Sequence, residues 1–189
     1  MSFELLLGQH ELRRAITGAL HDGSMSHAIL LTGAPGSGKK SWGRALAQVL
    51  LCSKNIAAES CLQCDSCRRF SSGNHPDYYL LQPEGRNIKI EQIRALRSRF
   101  YLQGTTKVCM IEKAEMMTAE SCSSLLKILE DPPSELYFIL LSEQPRLLFS
   151  TIVSRCQRYH LHPMDTADLK ALLLRENEMN PEKAAFLAR

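Results

Sequence analysis

A glycine-rich segment, residues 33–40 with the sequence GAPGSGKK, does most to limit what this chain can fold into. It follows an apolar run at residues 28–32 and precedes a helix-like run that extends to Leu51. A strand, a glycine-rich loop and a helix in this order are typical of a phosphate-binding loop, whose backbone N–H groups and helix N-terminus face a phosphate. The sequence therefore predicts an α/β domain with a nucleotide-binding site. The residues assigned to this site are Gly33, Gly36, Gly38 and Lys39.

The last position of the loop holds Lys40, where an active nucleotide site has a serine or a threonine. The hydroxyl oxygen of that residue ligates magnesium, whereas an ammonium group offers no lone pair and repels a cation. Ser41 does not replace it, because the next residue of a helix points about 100° away around the axis. We expect a site in which magnesium is disfavoured and in which weak binding of ATP or ADP remains open.

The composition excludes several classes of protein. With 44% hydrophobic and 23% charged residues among 189, the chain is neither disordered nor collagen-like. Its apolar runs are far shorter than the roughly 20 residues that span a bilayer, and residues 1–4 lack the basic start of a secretory signal. We expect a cytoplasmic protein that has no membrane partner. A net charge of +3 is too small to indicate nucleic-acid binding by itself.

Four of the seven cysteines are spaced as metal ligands. Three of them, Cys61, Cys64 and Cys67, form two overlapping Cys-x-x-Cys steps on what the spacing predicts to be one tight turn. Cys52 stands at the end of the preceding helix-like run and completes a tetrahedral set, which suits zinc. We predict a structural zinc module at residues 52–73, and leave open reduced cysteines without a metal or a redox pair. The remaining cysteines are expected to be small buried residues: Cys109, Cys122 and Cys156.

Five short apolar runs predict strands, and helical patterns lie between them. The strands are expected at residues 28–32, 78–81, 108–111, 137–141 and 159–161. The helices are expected at residues 9–20, 39–51, 90–101 and 119–129. Because strands and helices alternate, the sheet should be parallel and covered on both faces, with ligands at the carboxyl ends of its strands.

Pro163 marks the expected end of this domain, which we place at residues 1–163 with the zinc module inserted. After it, Asp165 or Thr166 can cap a further helix, and Pro181 can begin another. A segment of this length is too short for a core of its own. We expect residues 164–189 to pack on the sheet domain or to be the start of a truncated helical lid domain.

Several motifs together resemble subunits of the bacterial DNA polymerase III clamp loader, which belong to the AAA+ superfamily. The motifs are Ser-His-Ala at residues 26–28, the glycine-rich loop, the cysteine insert, His-Pro-Asp at residues 75–77, LLKILEDPP at residues 125–133 and Ser-Arg-Cys at residues 154–156. The last two are the most specific. The resemblance covers nearly the whole chain and implies a sheet order of 5-1-4-3-2 and a small helical lid after Pro163.

The resemblance also bears on catalysis at the end of the third strand. In active members this strand ends in Asp-Glu, where the first carboxylate supports magnesium and the second polarises the attacking water. Here the two positions are Glu112 and Lys113. Because Lys113 removes the base and Lys40 removes the magnesium ligand, we expect a subunit without significant ATPase activity. It should also have no polymerase activity of its own, although it would be part of a polymerase assembly.

By the same resemblance, Arg155 is an arginine finger that acts in trans on the ATP of a neighbouring subunit. The alternative is an arginine in an ordinary surface salt bridge, worth about 1 kcal/mol or less. Ser142 corresponds to the polar position that monitors the γ-phosphate in active members, although a serine at a strand end is equally consistent with a capping role. The implied partners are gamma or tau and delta subunits and, through the assembly, the sliding clamp and primed DNA.

The favoured interpretation is a stator subunit that helps to load the clamp and leaves hydrolysis to its neighbours. A motor subunit of the gamma or tau type is the nearest alternative, but it would have Ser or Thr at position 40 and Glu at position 113. A small phosphotransferase would leave the cysteine insert unexplained. A zinc-dependent DNA-binding module is disfavoured by the low net charge and would show salt-dependent DNA affinity.

Overall fold

The computed structural model of the protein describes residues 8–55, 58–102, 105–133 and 135–163. The interpretation of residues 164–189 as part of a lid lies outside the described residues. The described residues form five strands: β1 (Ala28–Gly33), β2 (Tyr78–Leu81), β3 (Lys107–Ile111), β4 (Leu136–Ser142) and β5 (Gln157–Leu161). The same ranges contain six α-helices: α1 (His10–His21), α2 (Lys39–Leu51), α3 (Asp65–Ser71), α4 (Ile90–Phe100), α5 (Ala119–Glu130) and α6 (Ser150–Val153). Within these ranges no helix has the length and apolarity to cross a membrane.

The strands form one parallel sheet in the order β2-β3-β4-β1-β5. This confirms both the parallel sheet and the order 5-1-4-3-2. The central strand β1 is buried along its whole length and pairs with β4 on one side and β5 on the other. A strand buried on both faces has no solvent side, which is why it reads as a continuous apolar run in the sequence.

Two hydrophobic layers cover the sheet, one on each face. Successive residues of β1 point to opposite layers, as a strand requires: Leu30 joins the first layer and Leu31 the second. In the first layer α4 and α5 bury residues that recur at helical spacing: Ile93, Phe100, Leu125, Ile128 and Leu129. In the second layer α1 and α2 do the same: Leu12, Ile16, Trp42, Leu46 and Val49. Between these layers, the parallel pairing of β4 with β1 and with β3 holds the carboxyl ends of the three strands side by side.

The structure differs from the sequence prediction in the cysteine insert. We expected the three closely spaced thiols to lie on a tight turn, but Cys64 is the N-cap of the short helix α3 and Cys67 lies in its first turn. The sulfur of Cys64 accepts a hydrogen bond from the backbone N–H of Cys67, as a serine or aspartate oxygen does at other helix starts. The four-residue helix α6 was not predicted either, because it is too short to show an apolar period.

Candidate functional site: a nucleotide-type cavity, a cysteine cluster and an exposed arginine

The glycine-rich loop joins β1 to α2 in a conformation that depends on its glycines. Gly36 and Gly38 have φ values of 77° and 84°, in the left-handed region that favours glycine, and Gly38 is the N-cap of α2. At Gly33 a Cβ atom would lie 2.6 Å from the backbone oxygen of Leu161 and equally close to Ser37 Oγ. The loop therefore passes between β5 and its own serine in a space that has no room for a side chain.

Lys39 is buried beneath this loop. Its Nζ donates hydrogen bonds to the backbone oxygens of Gly33, at 2.9 Å, and Ala34, at 2.7 Å. Burial lowers the pKa of Lys39, and the nearby carboxylates of Glu143 and Glu115 act in the opposite direction. The Lys39 ammonium is thus held by the loop carbonyls, which phosphate oxygens can replace as acceptors when a ligand enters.

A cavity of about 290 Å³ opens beside the loop at the carboxyl ends of β1, β3 and β4. This is the position where parallel α/β sheets bind their ligands. Ionisable and polar groups line much of it: Lys39, Lys40, Glu112, Lys113, Ser142 and Glu143. The structure therefore brings together Lys39 of the loop and the two lysines that replace catalytic groups in the sequence prediction, Lys40 and Lys113.

Lys40 and Glu112 form an ion pair in which Lys40 Nζ lies 2.9 Å from Glu112 Oε1. The pair has the distance of a salt bridge but not the angles of a hydrogen bond, since Glu112 Oε1 makes no hydrogen bond within the described residues. Gln82 Nε2 donates to the other oxygen, Glu112 Oε2, at 2.8 Å. The carboxylate that would support magnesium is therefore already occupied by an ammonium and an amide. Magnesium does not fit these residues.

Two further residues complete the cavity wall. Ser142 ends β4 and is only 1% exposed, yet its Oγ has no hydrogen-bond partner among the described residues. Lys113 follows β3 with a left-handed φ of 52° and places an exposed side chain at the cavity. A protonated lysine cannot act as a carboxylate base here. Sequence reasoning did not predict Gln82 or Glu143 as parts of this site, because neither stands in a motif.

The four cysteines of the insert converge, and their sulfur atoms all lie within 4.8 Å of one another. Cys52 Sγ is 3.6 Å from Cys61 Sγ and 3.9 Å from Cys64 Sγ. Ligands of a tetrahedral zinc site with Zn–S bonds of about 2.3 Å lie about 3.8 Å apart, so the spacing fits. Backbone N–H groups of Cys61, Cys64 and Cys67 donate hydrogen bonds to the sulfurs of Cys52, Cys61 and Cys64, and such hydrogen bonds orient the ligands of a metal site. The donor set can therefore bind a metal such as zinc.

The other cysteines have a different environment. Burial raises the pKa of Cys122 to about 11 and that of Cys156 to about 12, and it raises the pKa of Cys109 as well. At neutral pH these groups remain thiols and are poor nucleophiles and poor metal ligands. Their behaviour agrees with the prediction that they are small buried residues, although Cys156 is only partly buried.

Arg155 lies in the turn between α6 and β5, where its side chain is 36% exposed. Its Nη2 is 2.6 Å from Glu130 Oε1, and its Nη1 donates to the backbone oxygen of Thr151 at 3.1 Å. Glu130 is the last residue of α5 and belongs to the LLKILEDPP motif. Two of the motifs behind the family resemblance thus meet at one surface pair. Arg155 does not line the cavity of its own chain.

Comparisons with known proteins indicate the family to which this chain belongs. A family model described as "DNA polymerase III, delta subunit" matches residues 8–165. DNA polymerase III subunit delta' of Bacillus subtilis is 37% identical over 183 residues, which cover 95% of this chain and 55% of that protein. DNA polymerase III subunit tau of Salmonella typhimurium is 34% identical over 97% of this chain and 29% of its own length.

Similarity to solved structures concerns the fold. A gamma-subunit-related protein from Thermotoga maritima superposes with a TM-score of 0.57 at 22% identity, over 95% of this chain and 58% of that one. The five-stranded order and the glycine-rich loop of this chain are those of the AAA+ fold. The chain spans about half the length of the delta' relative it matches. It belongs to the DNA polymerase III delta subunit family and is similar along most of its length to delta' members of that family.

Proposed function

We propose that this chain acts as a stator subunit of a DNA polymerase III clamp loader. In this role it does not hydrolyse ATP itself, but presents Arg155 to the ATP bound by a neighbouring gamma or tau subunit. Together with the delta subunit, the assembly would open the sliding clamp and place it on primed DNA in the cytoplasm. The proposal includes a domain at residues 1–163 and the beginning of a lid at residues 164–189.

The observation that carries this proposal is the ion pair between Lys40 and Glu112, at 2.9 Å. A motor subunit needs that carboxylate to support magnesium and needs a carboxylate base at position 113. Here the first group is bound to an ammonium and the second is Lys113. The site therefore has no carboxylate base, and the carboxylate that would support magnesium is paired with a lysine, which favours the stator over the motor.

The setting of Arg155 supports a role outside its own cavity. Its guanidinium is partly exposed and is paired with a carboxylate that is itself 54% exposed. Exposed pairs of this kind contribute about 1 kcal/mol or less, so a triphosphate on an adjacent subunit can compete for the guanidinium. Phosphate oxygens match the planar fork of an arginine at least as well as a carboxylate does.

The direct test is Arg155→Ala in the full-length subunit, reconstituted with its partner subunits. Because arginine fingers contribute about a thousandfold or more in other phosphoryl-transfer systems, we expect hydrolysis at the facing site to fall by that order. Arg14→Ala, which removes an exposed arginine from α1, is the matched control and should leave the rate unchanged. An unchanged ATPase rate in the Arg155→Ala assembly would contradict the role in trans.

The motor alternative has its own test on the isolated subunit. It predicts magnesium-dependent turnover of ATP that Lys39→Ala abolishes, because Lys39 is the loop lysine. The stator predicts no such turnover in either protein. Magnesium-dependent hydrolysis that disappears in the Lys39→Ala variant would therefore overturn the proposal.

A further inference from the structure

We propose that Glu130 and His27 are positioning residues for Arg155, and that they orient its guanidinium for a phosphate on the neighbouring subunit. This deepens the stator role and rests on it, since it concerns the arginine that the role presents in trans. It also gives a use to the Ser-His-Ala motif at residues 26–28, which the stator role alone leaves unexplained. Three features support it: the contacts of Arg155, the charge at the end of α5 and the hydrogen bond of His27.

Two contacts orient the guanidinium of Arg155. Its Nη2 donates to Glu130 Oε1 at 2.6 Å, and its Nη1 donates to the backbone oxygen of Thr151 at 3.1 Å. Glu130 belongs to α5 and Thr151 to α6, so the side chain is held by two helices that pack on each other. A guanidinium has five N–H donors, so these contacts leave others free for a phosphate. A side chain that is already ordered loses less conformational entropy when its ligand arrives.

Glu130 stands where helix preference disfavours a carboxylate. It is the last residue of α5, and Asp131 follows it as the C-cap. The C-terminus of a helix carries partial negative charge, which repels acidic side chains. The Glu130 side chain is also 54% exposed, so burial does not explain it. Departures from local rules without a gain in stability are expected at functional sites, and the group that Glu130 contacts here is the Arg155 guanidinium.

His27 holds the end of α5 against the sheet. Its Nε2 lies 3.2 Å from the backbone oxygen of Leu129, the residue before Glu130, and must be the donor because a carbonyl only accepts. The prolines at residues 132–133 prevent the helix from continuing, so its last carbonyls need donors from elsewhere. The backbone oxygen of His27 in turn accepts from the N–H of Phe138 in β4. The sheet therefore fixes the helix end that carries Glu130.

The first experiment examines the pair in the full-length subunit by itself. Phenylglyoxal modifies arginine side chains, and mass spectrometry gives the rate at Arg155. Because the carboxylate stabilises the protonated guanidinium, Glu130→Ala should raise this rate by up to about fivefold, the factor that an exposed ion pair supplies. Asp131→Ala is the matched control, since this exposed neighbour makes no ion pair within the described residues. An unchanged rate in the Glu130→Ala protein would overturn the assignment.

The second experiment measures ATP hydrolysis by the loader reconstituted from full-length subunits. Glu130→Ala should lower kcat by about tenfold and leave KM for ATP unchanged, because ATP binds to the neighbour and only the orientation of Arg155 is lost. In an Arg155→Ala background the same substitution should have no further effect, since the two residues act as a unit. Asp131→Ala should again behave as the wild type. Equal losses in both backgrounds would show that Glu130 is merely structural.

The role of His27 is tested by removal and by conservative replacement. His27→Ala should lower kcat in the same way as Glu130→Ala, because the end of α5 loses its anchor. His27→Gln should restore most of the rate, since the Nε2 of glutamine can donate to the same carbonyl. Circular dichroism verifies that both variants fold. Equal rates in two folded variants would exclude a positioning role for His27.

The outcomes separate this proposal from the stator role. A loader that is slowed by Arg155→Ala but not by Glu130→Ala would remove the positioning role and leave the stator role intact. Unchanged hydrolysis with Arg155→Ala would instead contradict the stator role, together with the positioning role that rests on it. Failure of one proposal is therefore distinguishable from failure of the other.

Discussion

At the scale of single residues, the glycine-rich loop depends most directly on Gly33. A Cβ atom there would meet the backbone oxygen of Leu161 at 2.6 Å, and this oxygen belongs to β5 and cannot turn aside as a side chain can. We expect Gly33→Ala to lower the free energy of unfolding by about 1–3 kcal/mol, the usual cost of overpacking. Urea denaturation measures this difference.

Gly18 provides the matched control for Gly33. It lies within α1, and a Cβ atom added there would meet nothing within 4 Å. Because alanine is the better helix former, Gly18→Ala should raise the free energy of unfolding by about 0.5–1 kcal/mol. Equal effects at the two positions would show that the close approach at Gly33 does not constrain the loop.

His75 should make stability depend on pH. Burial lowers its pKa below the ordinary value of 6.5, while Asp77 raises it and Arg69 lowers it. Its neutral ring contacts Ser66 Oγ at 2.9 Å and accepts from the Asp77 N–H. Since the unfolded chain binds the proton more readily, the contribution of His75 is complete above about pH 6.5 and is lost as the pH falls towards the lowered native pKa.

The measurement for His75 compares urea denaturation at pH 7.5 and pH 5.5 in the wild type and in His75→Gln. Glutamine keeps an amide that can hydrogen-bond but cannot titrate in this range. The variant should lose part of the decrease in stability that the wild type shows on acidification. If the free energy of unfolding falls by the same amount in both proteins between pH 7.5 and pH 5.5, His75 does not contribute to the pH dependence of stability.

At the scale of helices and strands, the reliable signals in the sequence were those of the buried sheet and of the long helices. Both faces of β4 are buried, so this strand reads as a continuous apolar run in the sequence. The strand predicted at residues 137–141 lies inside β4. By contrast, α3 has only seven residues and carries an arginine pair and two serines, so no apolar period marks it. The N-cap of α3 is Cys64, whose sulfur accepts the hydrogen bond from the N–H of Cys67. Cysteine is not among the residues that usually cap helices, so the sequence did not indicate this helix start.

The cysteine cluster is the element whose stability should depend on a metal. We expect the purified protein to carry about one zinc ion per chain, held by the four thiolates, because a closed set of four cysteines is typical of structural zinc. Cys67→Ser should lose the zinc and lower the thermal unfolding midpoint, since binding energy at such a site is folding energy. Elemental analysis and a chelating dye measure the metal.

The control for the metal site is Cys122→Ala, which removes a buried thiol from α5, outside the cluster. This variant should retain the zinc even if its stability falls, because Cys122 lies in the hydrophobic core. Zinc retained by the Cys67→Ser protein, or zinc lost from both variants alike, would exclude the predicted ligand set.

At the scale of the whole molecule, the sheet order could be inferred from the family resemblance, but the contacts that define the site could not. Lys40 and Glu112 lie on α2 and directly after β3, far apart in the sequence. No local pattern indicates that their side chains meet. The same holds for Arg155 and Glu130, which the fold of α5 against α6 brings together. Motifs identified the residues, and the parallel packing of the strands determined their partners.

The final prediction concerns the extent of the folded unit. The side chain of Gln9 donates to the backbone oxygen of His162 and accepts from its N–H at 3.1 Å, so the first described helix is joined to the end of β5. Both hydrophobic layers are formed by residues between Leu12 and Leu161. Residues 1–163 therefore contain a sheet that is covered on both faces.

We expect a chain that ends at Pro163 to unfold in one cooperative transition, with a free energy within about 1 kcal/mol of the value for residues 1–189, because small domains with one covered core behave in this way. Gln9→Ala in the shortened chain should lower that value by about 1 kcal/mol, the typical contribution of a hydrogen bond. Urea denaturation followed by circular dichroism measures both. A broad transition in the shortened chain, or its aggregation, would show that residues 164–189 cover part of the sheet and that the domain boundary lies elsewhere.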